Sequence, residues 1–169
     1  MGIVHVKQGN ITVSKVDGIV NSTNVGLANG GGVDGSIRRQ AGPMLSPVLW
    51  KINNCDTGTA VLTPPFNLNC KGIIHTVGPI YRGGHAGEKN LLISCYQSVM
   101  AIANEQKYRT LAFPAICCGF YGYPLEEACD IAITEVRKAM QGKTSVQEVT
   151  FVCLEEHVLE AFQRRVQRP

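Results

Sequence analysis

The sequence predicts an α/β three-layer sandwich, and three observations carry the prediction. Short apolar runs rich in β-branched residues recur along the chain. Segments with apolar residues at helical spacing lie between them, and an amphipathic segment closes the chain after the sixth run. Alternation of this kind stacks helices against a sheet.

The runs, in order, are Ile3-Val4-His5-Val6, Gly18-Ile19-Val20, Ala60-Val61-Leu62, Gly72-Ile73-Ile74-His75-Thr76-Val77, Thr110-Leu111-Ala112-Phe113 and Val149-Thr150-Phe151-Val152-Cys153. Being short and β-branched, they read as strands buried on both faces. Leu91, Leu92, Cys95, Val99 and Ile102 mark one helix. Leu125, Ala128, Cys129, Ala132, Val136 and Ala139 mark another, and Val158, Leu159, Phe162 and Val166 share one face of the last. A further helix is expected to start near Gly35, and a flexible surface loop over residues 82–87. No repeat, low-complexity tract or long linker divides residues 1–169, so they are read as one domain.

Composition narrows the function classes. The chain is 44% hydrophobic and 17% charged, with no apolar run of about 18 residues, so no membrane-spanning helix is expected. The first residues lack a secretory signal, and Val6 stands where a myristoylation motif needs Ser or Thr. A cytoplasmic location follows as an expectation, with the seven cysteines as thiols and the Asn21-Ser22-Thr23 sequon unused. A net charge of +3, with scattered Lys and Arg, suits a small anionic ligand better than a nucleic acid. No paired Cys or His spacing suggests a metal, and neither metal nor cofactor is expected.

Two loops that follow strands carry the candidate chemistry. The first, residues 21–39, includes Asn24, Asn29, Gly30, Gly31, Gly32 and Asp34. Glycine lets backbone N–H groups converge without side chains in the way, and a helix N-terminus adds positive potential, so such a loop cradles phosphate. Gly30, Gly32 and Gly35 match the letter of a dinucleotide fingerprint, yet about nine residues separate them from the strand where that motif allows none. A Walker loop fails because Arg137 stands where its first glycine belongs. The second loop, residues 113–124, runs through Cys117, Cys118, Gly119, Phe120, Tyr121, Gly122 and Tyr123 into the helix near Leu125. At least one of its aromatics is expected in the pocket, stacked on a sugar or base. A phosphatase loop needs an arginine six residues after its cysteine, where this chain has Tyr123 and Pro124, so Cys117 and Cys118 are read as buried, inert thiols.

These residues carry a close resemblance that covers nearly the whole chain. Gln8-Gly9-Asn10-Ile11-Thr12, Ile19-Val20-Asn21 with Asn24, Gly30 to Gly35, Ala41-Gly42-Pro43, Ile74 to Pro79, Ala112 to Ile116 and Gly119 to Pro124 together resemble a macrodomain of the MacroD type, the group that includes bacterial O-acetyl-ADP-ribose deacetylases. The resemblance implies a mixed, about six-stranded sheet between helices, with ADP-ribose lying across its crest. It implies that Asn10 and Ile11 meet the adenine. Gly30, Gly31, Gly32 and Val33 would border the distal ribose and its phosphate, and Cys118, Gly119, Phe120, Tyr121 and Gly122 would wrap the diphosphate. Asn24 would hold the distal ribose, and Asp34 would be the acidic residue tied to hydrolysis. A carboxylate can orient or deprotonate a water at an ester of that ribose, and the ligand's own diphosphate can share the work as base. Asp34 also reads as a helix cap and Asn24 as a left-handed turn residue.

Three positions depart from the pattern. Asn10 replaces the aspartate these relatives use toward the adenine amino group; its carbonyl is expected to accept the same bond without the charge, so weaker adenine binding follows. Arg38 replaces a frequent histidine, and either pairs with Asp34 at i, i+4 spacing or faces solvent. Leu154 stands where many macrodomains place an aromatic ring over the adenine, and gives apolar contact without stacking. The expected function is ADP-ribose binding with hydrolysis of O-acetyl-ADP-ribose or of mono-ADP-ribosylated protein. The alternatives are a non-catalytic ADP-ribose reader and an ADP-ribose 1″-phosphate phosphatase; RNA binding finds little support in the charge.

Overall fold

In the computed structural model, which describes residues 2–119 and 121–169, each of the six apolar runs forms a strand. The elements are β1 (Ile3–Gln8), β2 (Gly18–Ser22), α1 (Gly32–Ala41), α2 (Leu45–Ile52), β3 (Ala60–Thr63), β4 (Gly72–Thr76), α3 (Glu88–Glu105), β5 (Thr110–Phe113), α4 (Leu125–Gln141), β6 (Glu148–Cys153) and α5 (Glu156–Val166), with a 3₁₀ turn at Ile11–Val13. The strand order is β1-β6-β5-β2-β4-β3. Every pair is parallel except β3 with β4, so the sheet is mixed.

Side chains alternate across the strands and divide the core into two layers. Val20, Ile74, Leu111, Phe113, Val149 and Phe151 face α3, α4 and α5. Ile19, Ile73, Ala112 and Val152 face α1, α2 and the 3₁₀ turn. The result is a three-layer α/β/α sandwich. Offset aromatic contacts tie the thicker layer together, with ring centroids 5.4 Å apart for Tyr96 and Phe113, 5.5 Å for Phe113 and Phe151, and 5.0 Å for Phe151 and Phe162.

Three expectations need correction, and one helix was not foreseen. Burial on both faces holds for the central strands β2 and β4 but not for β1 and β3, which form the two edges; Ile3 is 57% exposed. β-Branched content does not distinguish an edge from a centre. Helix α1 starts at Gly32 rather than near Gly35, so the glycine triplet itself forms its N-terminus. Helix α2 has no counterpart in the sequence reading. Residues 82–87 do form an exposed surface loop, but a tied one: the Glu88 carboxylate accepts from the backbone N–H groups of Arg82, Gly84 and Ala86 at 2.8, 2.9 and 2.6 Å. Those amides, Arg82's foremost, hold its carboxyl down at about 2.

Candidate functional site

Because β1, β2, β5 and β6 run parallel, their C-terminal ends meet along one crest, where α/β sheets collect ligands. Two adjoining cavities lie there. The larger, about 600 Å³, is lined by Gly9, Asn10, Ile11, Gly32, Val33, Ser36, Pro114, Ala115, Cys118, Gly119, Val152, Cys153, Leu154, Glu155 and Val158. The smaller, about 350 Å³, is lined by Ser22, Thr23, Asn24, Gly30 to Asp34, Pro114, Ala115, Cys117, Gly119 and Tyr121. Gly32, Val33, Pro114, Ala115 and Gly119 border both, so the two form one elongated cleft.

The glycine loop that forms one wall is stapled in place. The Asn24 side chain closes it locally, donating from Nδ2 to Ala28 O at 2.8 Å and accepting at Oδ1 from Ala28 N at 3.0 Å. The left-handed residue of the turn is Leu27, with φ 54°, and not Asn24. Arg38 Nη2 donates to Leu27 O at 2.8 Å, and Gly30 N donates to Asp34 Oδ2 at 2.7 Å. Helix α1 gives its first backbone bond from Gly35 N to Gly31 O, which leaves the amides of Gly32 and Val33 without helical partners at the cleft wall.

Asp34 occupies the third position of α1 and is 3% exposed. Besides the Gly30 amide, its carboxylate receives Asn21 Nδ2 at 2.8 Å and Arg38 Nε at 3.1 and 3.0 Å. Of the two readings for Arg38 the structure selects the buried pair, with Arg38 7% exposed. Asp34 thus ties down Gly30, one residue before the N-cap Gly31, which itself receives no side-chain cap. Its lone pairs are engaged by donors of the chain itself.

Behind Asp34 runs a chain of buried polar groups to which the sequence reading gave no roles. Asn21 and His75 are register partners on β2 and β4. Asn21 Nδ2, besides meeting Asp34, lies 3.1 Å from His75 Nδ1, and His75 Nε2 lies 2.9 Å from Thr63 Oγ1. An amide nitrogen only donates, so His75 Nδ1 accepts, its proton sits on Nε2, and the Thr63 hydroxyl passes its own to Pro64 O at 3.2 Å. Burial lowers the His75 imidazole to about 3, which keeps it neutral. The sequence signal is a polar residue inside a β-branched run.

On the opposite wall, Tyr121 lines the smaller cavity while Tyr123 packs into the core against Tyr81 at 4.9 Å. Phe120 lies outside the described residues. Gly119 borders both cavities; Gly122, with φ 69°, borders neither and closes the turn by donating to Gly119 O at 3.0 Å. Burial pushes the Cys118 thiol up to about 12 and that of Cys117 higher still, and Cys117 Sγ donates to Pro79 O at 3.3 Å. A nucleophilic cysteine needs the opposite shift. All seven cysteines are free, and among the described residues no three His, Cys, Asp or Glu side chains converge on a metal position. No helix of the described residues is long and apolar enough to cross a membrane.

At the far end of the cleft, Leu154 is 71% exposed and lines the larger cavity with Ile11, Val152 and Val158. The expectation for Asn10 changes here. Its Oδ1 already accepts from Thr12 N at 3.0 Å and from Thr12 Oγ1 at 2.7 Å, capping the 3₁₀ turn, so that oxygen is not free for a base.

Comparison with known proteins agrees with this architecture. The macro domain family model matches residues 20–132. A macro domain-containing protein of Chlorobaculum tepidum is 43% identical, over 96% of this chain and 94% of that protein. An O-acetyl-ADP-ribose deacetylase of Salmonella gallinarum is 42% identical, over 95% of this chain and 92% of its own length. Among solved structures, an Oceanobacillus iheyensis macrodomain with ADP superposes with a TM-score of 0.90 at 32% identity, covering 96% of this chain and 88% of the other. A Trypanosoma brucei macrodomain in complex with ADP-ribose gives 0.89 at 33% identity, covering 96% and 68%. With the family model covering more than half of the chain and relatives above 40% identical over nearly all of it, the chain belongs to the macro domain family.

Proposed function

We propose that this macrodomain binds ADP-ribose along the crest and hydrolyses an ester at the distal ribose, either the acetyl of O-acetyl-ADP-ribose or the link to an acidic side chain of a modified protein. The observation that carries the binding claim is the joined cleft with two chemistries. Its larger end, walled by Ile11, Val152, Leu154 and Val158, suits a flat base. Its smaller end, walled by the Gly30 to Val33 backbone at the start of α1 and by Gly119, suits phosphate and sugar. The deacetylase name carried by similar proteins supports the hydrolytic step.

In this reading Asp34 is a positioning residue. With its oxygens held by Asn21, Gly30 and Arg38, it sets the shape of the glycine loop, and proton acceptance falls to the bound diphosphate or to water ordered by it. The test pairs calorimetry of ADP-ribose binding with turnover of O-acetyl-ADP-ribose and of a glutamate-ADP-ribosylated protein. The wild type is expected to bind and turn over, and Asp34→Asn to raise KM as well as lower kcat, because the loop loosens. A fall in kcat alone would make Asp34 the base itself. The saturation of Asp34 and the closure of the Asn24 amide on Ala28 favour a second reading, a non-catalytic reader. Tight binding with no turnover of either substrate would establish it.

A further inference from the structure

Asn21, His75 and Thr63 lie on three neighbouring strands, β2, β4 and β3. Each stands two residues after an apolar one, Ile19, Ile73 and Val61, that packs in the layer beneath α1 and α2, so the three share that face of the sheet. The strand period calls for apolar side chains here, and the chain instead buries a row of polar ones, none more than 2% exposed. Such a row is tolerated only where its members satisfy one another, and these do so in one direction. The Thr63 hydroxyl donates to Pro64 O at 3.2 Å, so toward His75 Nε2, 2.9 Å away, it can only accept. That fixes the imidazole proton on Nε2 and leaves Nδ1 as an acceptor for Asn21 Nδ2 at 3.1 Å. The second N–H of Asn21 then reaches Asp34 Oδ1 at 2.8 Å. Asn21 Oδ1 has no partner among the described residues, so the amide is held from its nitrogen side alone. The other donors to Asp34 are the Gly30 N–H and the Arg38 guanidinium, which belong to the loop and helix that carry Asp34 itself. Among the described residues, Asn21 is therefore the one donor that ties the Asp34 carboxylate to the sheet.

We infer that Thr63 and His75 are positioning residues for the glycine loop: the Thr63 hydroxyl, on an edge strand, orients the imidazole, the imidazole orients the Asn21 amide, and the amide anchors Asp34 and Gly30 to the sheet. With its proton on Nδ1 instead, His75 would meet the Asn21 NH₂ group donor to donor, and the amide would have to give up one of its two partners. The consequence for a ligand rests on the reading that ADP-ribose occupies the cleft; the consequence for the loop does not.

The experiment compares the wild type with T63V, which removes the hydroxyl with little change of shape, and T63S, which keeps it. Nitrogen-15 NMR of the imidazole locates its proton, and calorimetry gives Kd for ADP-ribose. Amide exchange without ligand reads the Gly30 N–H against the Gly122 N–H, which is bonded to Gly119 O on the opposite wall. The wild type is expected to carry the His75 proton on Nε2. T63V should raise the Gly30-to-Gly122 exchange ratio and weaken ADP-ribose binding, each about three- to tenfold, while T63S should match the wild type. A purely structural loss would speed both amides alike and leave their ratio unchanged. A wild-type proton on Nδ1, a T63V protein with the wild-type ratio or Kd, or a T63S protein that behaves as T63V overturns the inference, and the first of these needs no variant to fold. If the wild type binds no ADP-ribose, the cleft assignment fails, and the imidazole and exchange readouts still decide whether the loop is anchored this way.

Discussion

Arg38 and Asp34 form a buried ion pair one helical turn apart, and the arginine's second contact, to Leu27 O, joins the pair to the loop. Removing one partner strands a desolvated charge, so Arg38→Ala is expected to lower unfolding stability by about 3–5 kcal/mol in denaturant titrations. A loss within about 0.5 kcal/mol, as for an exposed side chain, would contradict the pair's burial. His75 makes a second prediction through its depressed imidazole. The unfolded chain takes up a proton near the ordinary histidine value of about 6.5, whereas the folded chain refuses it until about 3. The unfolded state thus binds more protons in that window. The contribution is full above the ordinary value and is lost as pH falls through the window, with a slope of up to about 1.4 kcal/mol per pH unit. Denaturant titrations from pH 7 to 4 should show His75→Gln with a shallower acid slope than the wild type; parallel slopes would mean that His75 titrates alike in both states.

Among the elements, α1 connects fold and site most directly. Its first residue, Gly32, has φ 58°, and a methyl group there would project into open space at the cleft wall. Gly32→Ala is therefore expected to cost about 1–2 kcal/mol through left-handed strain and to weaken ADP-ribose binding more than any change in folding explains. Calorimetry on the folded fraction separates the two effects. The strands were legible in the sequence because short apolar runs of three to six residues, rich in β-branched side chains, leave few other readings. Helix α2 was not, since its two turns bury only Leu45 and Leu49, Pro47 interrupts the pattern, and Trp50 points outward at 77% exposure. Glycine content and polar neighbours placed the residues of the first loop at one wall of the cleft. Nothing local announced that Asn21 and His75 stand behind it, because that adjacency is a matter of strand register. Likewise, the fate of the Asn10 oxygen depends on the rotamer that caps Thr12, which spacing does not encode.

For the molecule as a whole, occupancy of the crest draws together β1, β2, β5 and β6 with the start of α1, so a bound ligand reports on most of the fold. ADP-ribose at about one hundred times its Kd should add about 2.7 kcal/mol and raise Tm by about 5–10 °C, measured by scanning calorimetry. Absence of a shift at that concentration would argue against binding to the native state. The placement of β1 has a kinetic consequence. It pairs only with β6, the last of the six strands in sequence order, so β1 has no sheet neighbour until β6 has been made. Docking it closes the longest loop in the topology, which makes it a late step of assembly and leaves β1 and the edge of β5 that β6 will cover unpaired in the nascent chain. Chaperone capture of stalled chains should therefore persist until the segment carrying β6 has emerged, and cease soon after.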